Sequence, residues 1–460
     1  MQRASLALPL LLLTACKDPP APAPRRTLVL DASSPSDHTG ALATVNGDTS
    51  TDREIRQLQD IARRNPTRSR PLLRLAQLLV RKARESSDPS FYPMADDAAQ
   101  RALRLDANDL AALQIRGLVL MQDHRFAEAR ELAQQGIRRD PQQPIFYGLL
   151  GDAEMEVGRY TEAEAAYQRM VDLRPNLGSY SRASWMRWLI GDAEGAIDAG
   201  RRAVEAGSPR VPEELAWTMV QLGNLYFATG DLDRAEQHYA AALTTFANYP
   251  VALDGRGLVK RARGDLAGAI EDFNAAVAGS TTTEILVHLG EAQEAAGRAD
   301  DANATYVRAE RAGRRSDPRA LALFYASHDR EHEAAVSLAR RELEQRPADV
   351  YTQDVLAWAL FRAGQLDEAA RLITEARRSH TPEARFAFHA GMIAHAKGER
   401  DAAVTALREA LELNPCFDPR GADEARRTLA ALGVDAGPPL RPTPAAPRGD
   451  AGATAATRDR

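Results

Sequence analysis

The chain is poor in cysteine. Only Cys16 and Cys416 occur in 460 residues, which leaves no disulfide framework on which a fold could depend. Aromatic residues make up only 6% of the chain, and abundant alanine favours closely packed helices over sheets. A positive surplus is also missing: 59 Lys and Arg stand against 64 Asp and Glu, a formal net charge of −5. Nothing in that balance draws in nucleic acid electrostatically, so no nucleic-acid partner is expected. The apolar run at residues 6–13 is far short of the roughly 20 helical residues that cross a hydrocarbon core.

What the chain does have is repetition. "GRYTEAEAAY" at 158 returns as "GDAEGAIDAG" at 191, "GDLDRAEQHY" at 230 and "GDLAGAIEDF" at 264. It returns again at 297, 364 and 398. An alanine ladder runs through these segments: Ala95, Ala129, Ala163, Ala196, Ala235, Ala269, Ala302, Ala335, Ala369 and Ala403. Most spacings are 33 or 34, with one of 39. Twelve residues earlier lies a second ladder of mostly small residues, Gly117, Gly151, Ser184, Gly223, Gly257, Gly290, Leu323, Ala357 and Gly391. Pro141, Pro175, Pro347 and Pro415 fall twelve residues after their markers. Small residues at matched steps let two helices approach closely. Glycine suits the tight turn between them, and aspartate just after it can cap the next helix.

A period near 34 with small residues at these steps resembles the tetratricopeptide repeat, a helix–turn–helix unit. The resemblance covers ten units over residues 70–415 and implies an all-α, right-handed superhelical solenoid. Three departures are visible: an insertion "SSDPSFYP" in the first unit, about five added residues at "GSPRVPEELAW", and an eighth unit with Leu323 at a small position and no turn glycine. Local changes of superhelical curvature are expected there. "DPRGADEARRTLAALGV" reads as a helix closing the stack.

The N-terminus carries a different signal. Arg3, the short apolar run and small residues make a secretory leader, and Leu13-Thr14-Ala15-Cys16 resembles the bacterial lipobox. That resemblance implies cleavage before Cys16 and lipid attachment to it; multiple acyl chains anchor firmly. Lys17 after the cysteine implies outer-membrane sorting, facing the periplasm. The expected layout is a signal peptide over 1–15, a lipidated cysteine and tether over 16–50, a solenoid with capping helix over 51–433, and a disordered tail over 434–460.

Catalytic signals are weak. His328-Asp329-Arg330-Glu331-His332 matches H-x-x-E-H, a zinc arrangement that needs both imidazoles on one helix. The repeat register puts Arg330 at a turn, so the pair is read as solvated loop histidines. No nucleotide loop, serine triad or C-x-x-C is present, and no segment of catalytic-domain size lies outside the array. No enzyme activity, cofactor or metal is expected.

In the family, positions two, five, nine, twelve and thirteen of the first helix face the groove. Here those positions include Trp185, Trp188, Trp217, Phe227, Phe324, Tyr351, Trp358, Phe361 and Phe388, and with them all four tryptophans. Aromatics dominate binding hot spots, so these nine are the expected grip on a partner; the alternative is that they pack between neighbouring helices. The carboxylate clamp of the family's chaperone adaptors is missing, with Asn224 alone among Val220, Leu258, Val287 and Glu291. The expected function is a protein-binding scaffold of the cell envelope. The alternative is a carbohydrate-handling lipoprotein of polysaccharide export, with tryptophans stacked on sugar rings.

Overall fold

The structure, a computed structural model, describes residues 40–436 apart from Ser87 and Pro89. The expected leader, Cys16 and most of the tail lie outside the described residues. Among the described residues there are 22 α-helices and no strands.

A first helix, α1 (Ser50–Arg64), precedes ten helix pairs. These are α2 (Ser69–Ser86) with α3 (Phe91–Leu105), α4 (Leu110–Gln122) with α5 (Phe126–Arg139), and α6 (Pro144–Glu156) with α7 (Tyr160–Leu173). Next come α8 (Leu177–Leu189) with α9 (Ala193–Glu205), α10 (Pro212–Ala228) with α11 (Leu232–Thr245), and α12 (Pro250–Ala262) with α13 (Leu266–Gly279). The last four are α14 (Thr283–Ala295) with α15 (Ala299–Ser316), α16 (Pro318–Ser327) with α17 (His332–Gln345), α18 (Val350–Arg362) with α19 (Leu366–Ala376), and α20 (Ala384–Ala396) with α21 (Arg400–Leu413). A final helix, α22 (Pro419–Ala431), follows them.

The ladders hold these pairs together. Every marker alanine on the second helices is buried. Gly151, Gly223, Gly257, Gly290 and Gly391 each face a large side chain on their own second helix, while Gly117 faces Leu149 on α6. A Cβ on Gly151 would lie 2.4 Å from Tyr167, and one on Gly290 would lie 2.4 Å from Tyr306. Hydrogen therefore stands where the ring packs, and the pair closes to a distance that any side chain would prevent. The aspartates after the turns act as read from the sequence: Asp192, Asp231 and Asp265 accept from the backbone N–H groups of Gly195, Arg234 and Gly268, which relieves unpaired donors at each helix start.

The departures have local causes. The added residues near 208 lengthen α10 to 17 residues. The eighth unit has a first helix of only 10 residues, and its turn is made by Asp329 and Glu331 at φ 55° and 43° in place of glycine. The histidine motif is broken by this turn, with His328 after α16 and His332 opening α17. One part of the reading is corrected: His328 is not solvated, because its side chain is only 2% exposed.

The boundaries also shift. The expected tether over 16–50 gives way to packed chain by residue 41, where Ala41, Leu42 and Val45 are buried and Gln59 donates to the carbonyls of Ala41 and Ala43. At the other end, Val434 and Ala436 pack on the core rather than opening a tail.

The superhelix also touches itself. Tyr160 Oη accepts from the Val350 amide at 3.1 Å, the Thr381 hydroxyl donates to the Leu189 carbonyl at 2.7 Å, and the Asn414 side-chain amide donates to the Phe227 carbonyl at 2.8 Å. The partners are 187 to 192 residues apart, or about five and a half repeats of 34. In each case the turn inside one repeat meets the junction that follows a later repeat. The contact is close enough that a Cβ on Gly158, whose φ is +75°, would fall 2.1 Å from the Ala348 backbone. With Arg346 on His124 at its near end, this seam joins the second to fifth repeats to the last three.

Candidate functional site

Closure along the seam turns the concave face into a channel. Its main part is a cavity of about 1450 Å³ lined by the first helices of the early repeats. Gln114 and Gln122 come from α4, Asp152 from α6, Trp185 from α8, and Trp217 and Asn224 from α10. These fall at the expected inward positions of the repeat.

The wall is apolar with neutral polar groups, and its charges are mostly paired. Arg182 grips Asp152 with two bonds of 2.7 Å, and Tyr167 adds a third donor to that carboxylate at 2.9 Å. Arg84 reaches across to Glu214 at 3.6 Å. Glu213 accepts from the Tyr249 hydroxyl at 3.0 Å. Asn224 is already engaged, because its Oδ1 accepts from the buried Tyr239 hydroxyl at 2.8 Å. Trp217 is 43% exposed, and Val211 and Val251, both exposed, line the same cavity.

A smaller recess of about 290 Å³ adjoins the main cavity, sharing Trp185, Tyr351 and Glu383 with it. It also holds Glu156, Glu284, Asp317 and Asp349, with Arg319 and Arg385. Burial raises the Glu156, Glu284 and Glu383 carboxyls above the usual carboxylate range. The helices explain why so many carboxylates collect there. Asp317 and Asp349 cap α16 and α18 by accepting from Ala320 and Thr352. Glu383 precedes α20, and Glu284 lies in the first turn of α14. Four helix N-termini, each with partial positive charge, converge on this acid ring. Among the described residues no cluster of His, Cys, Asp and Glu is arranged to hold a metal ion.

The nine aromatics read from the sequence divide. Trp185, Trp188, Trp217 and Tyr351 lie on the cavity wall. Of these, only Trp217 is freely exposed. Trp188 is 2% exposed and donates its indole N–H to Tyr351 Oη at 3.2 Å, while Trp185 stacks on Tyr351 at 5.9 Å; the three belong to the seam as much as to the wall. Phe227 packs against the core beneath the fifth repeat.

The other four leave the site, a correction to the expected grip. Phe324, Trp358 and Phe388 are buried, and Phe361 packs against the same core. Trp358 is 1% exposed, stacks on His389 at 4.1 Å and lies under the Arg362 guanidinium at 4.5 Å. Phe324 is enclosed by Tyr306, Tyr325 and His328; for Trp358 and Phe388 the cause is α22 with the loop leading into it, which does more than cover the end of the stack. It crosses the inner face of the last repeats, with Arg420 on Glu294, Glu424 on Arg362 at 3.3 Å, and Phe417 against Phe388 at 5.5 Å. The groove is therefore filled at its C-terminal end and open over the early repeats.

The tetratricopeptide repeat family matches residues 92–144, 115–178, 149–211, 220–282 and 355–415, more than half of the chain. Cellulose synthase 1 operon protein C of Komagataeibacter xylinus is 25% identical over 279 residues, 61% of this chain and 17% of that protein. The chain thus spans about a sixth of that relative's length. Tetratricopeptide repeat protein 36 of Bos taurus is 31% identical, over 27% of this chain and 71% of that protein. Among solved structures, PilF of Pseudomonas aeruginosa aligns with 45% of this chain and 93% of its own, at 14% identity and a TM-score of 0.39. The all-helical architecture, the two ladders and the family match over more than half of the chain agree: the chain belongs to the tetratricopeptide repeat family.

Proposed function

We propose that this protein is a non-catalytic scaffold of the bacterial cell envelope, held at the membrane by lipid on Cys16, that receives a segment of a partner protein in its channel. One observation carries the reading. The inward positions of successive early repeats converge on a single open cavity, and its wall offers an exposed indole beside apolar side chains while its charged groups are largely paired within the protein. Such a wall gives an extended chain apolar contact and amide hydrogen bonds. The histidines that could have served chemistry support the non-catalytic reading, since His389 is buried against Asp354 and His328 is sealed among aromatic rings. Placement in the outer membrane rests on the lipobox and Lys17.

The test is capture from envelope extract by the wild-type protein and by Trp217→Ala. Loss of one stoichiometric protein from the Trp217→Ala eluate supports the reading; equal recovery by both refutes it. A second reading, a neutral glycan as ligand, is favoured by the similarity to cellulose synthase 1 operon protein C and by the exposed indole. Quenching of tryptophan fluorescence by cellohexaose, with no protein recovered, would decide for it. Retention of radioactive palmitate by Cys16→Ala would rule out the anchor.

A further inference from the structure

The seam has a property that the repeat packing lacks. In a solenoid each unit is stabilised by its neighbours alone, and here that stabilisation comes from the buried alanine ladder and its facing rings. The seam adds contacts between units five to six repeats apart. None of the ten pairs needs them to form.

Most of the individual bonds are of a kind that water can replace. They include the three hydrogen bonds of Tyr160, Thr381 and Asn414 and the Trp188 indole bond to Tyr351. At one end sits Arg346, which donates to His124 at 2.7 Å, pairs with Glu156 at 3.0 Å and lies 5.2 Å from the Phe126 ring. A single apolar hub interrupts the polar series, where Val350 and Phe386 meet Met186 and Leu189. Opening the seam would break this one set of contacts. The backbone change could be shared among the five or six intervening repeat junctions, each turning slightly.

We propose that the seam is a reversible latch: the superhelix opens along it while every repeat stays folded, and its closure completes the channel wall. A channel that opens sideways admits an internal stretch of a long chain, with no free end to thread. This follows from the seam geometry and holds whichever ligand the channel takes.

The Val350 amide reports on the latch. Val350 is the first residue of α18, so its N–H has no partner within the helix; its bond to Tyr160 Oη crosses the seam. The Trp188 indole N–H is the second reporter. The amides of Ala269 and Ala369, bonded to Asp265 and Gln365 within their own repeats, serve as comparators. Residue-resolved hydrogen exchange on the wild-type protein, over a series of low urea concentrations, separates local from global opening.

A latch requires both reporters to exchange faster than both comparators, with little dependence on urea. Thr381→Val, which removes one seam bond and leaves each reporter's own acceptor in place, should speed their exchange about three- to tenfold and leave the comparators unchanged. Exchange of reporters and comparators at one common, strongly urea-dependent rate would overturn the proposal, as would reporters indifferent to Thr381→Val. If that variant fails to fold, as judged by circular dichroism, the wild-type comparison still decides.

Discussion

Consider Gly255 on α12. Its neighbour is Tyr239, a fully buried ring held between two glycines. A Cβ on Gly223 would lie 2.7 Å from the ring and one on Gly255 would lie 2.4 Å from it. Carbon atoms rest about 3.5 to 4.0 Å apart, so Gly255→Ala drives its methyl about 1 Å too deep. Two effects compete. Alanine is the better helix former by about 1 kcal/mol, whereas overpacking a dense core costs about 1 to 3 kcal/mol. Tyr239 has little room to yield, because its hydroxyl is tied to Asn224 at 2.8 Å. That places the overpacking cost in the upper part of its range, about 2 to 3 kcal/mol, so the expected net loss is about 1 to 2 kcal/mol, read as a lower urea midpoint by circular dichroism. Tyr239→Leu in the same chain should relieve the clash, giving a coupling of about 1 kcal/mol or more in a double-mutant cycle. A neutral or stabilising Gly255→Ala would show that the nesting of rings on glycine does not set the distance between these helices.

Other outcomes follow from the same structure. Trp358→Ala should cost about 3 to 5 kcal/mol, because its ring is buried between His389 and Arg362, while Trp217→Ala should leave the melting temperature unchanged and weaken partner capture; thermal denaturation and binding assays on both variants separate the two roles. At Asp52, burial raises the carboxyl pKa, but hydrogen bonds from Lys82 and Thr49 outweigh it and hold it at about 2, below the ordinary 3.8. A depressed carboxylate stabilises the fold above its unfolded value and loses that contribution as pH falls toward 2. Asp52→Asn should therefore be less stable above pH 4 and show a flatter urea midpoint between pH 4 and 2 than the wild type. Gly297 has φ +76° and no neighbour within 4 Å of a Cβ built on it, so Gly297→Ala should cost about 1 kcal/mol from backbone strain alone, with no partner substitution able to restore it.

The repeat could be read from sequence because everything that defines it is local. The alanine ladder, its facing glycines and the capping aspartates interact within one unit or with the next, so their spacing records their contacts. The inward register was legible for the same reason, and Gln114, Asp152, Trp185 and Trp217 reach the cavity from the positions that the repeat assigns. The seam left no such trace. Tyr160 and Val350 are 190 residues apart, and nothing in either segment marks the other. The fate of Trp358 and Phe388 was hidden because α22 folds back across the inner face, and a helix that closes an open end has the same sequence pattern as one that fills a groove. Among the nine aromatics, only Trp217 combines an inward position with free exposure. The packed stretch before α1 was missed because Ala41, Leu42 and Val45 lack any period, although Gln59 satisfies two of its carbonyls.

The central claim is that the open channel over the early repeats is where a partner is held. Site-specific photocrosslinking tests it in the native envelope, with benzoylphenylalanine placed at Trp217 in the channel or at Val307, an exposed residue on α15 that does not line the cavity. The account requires one discrete adduct from position 217 and none from 307. Adducts of equal yield from both positions, or an adduct from 307 alone, would contradict it.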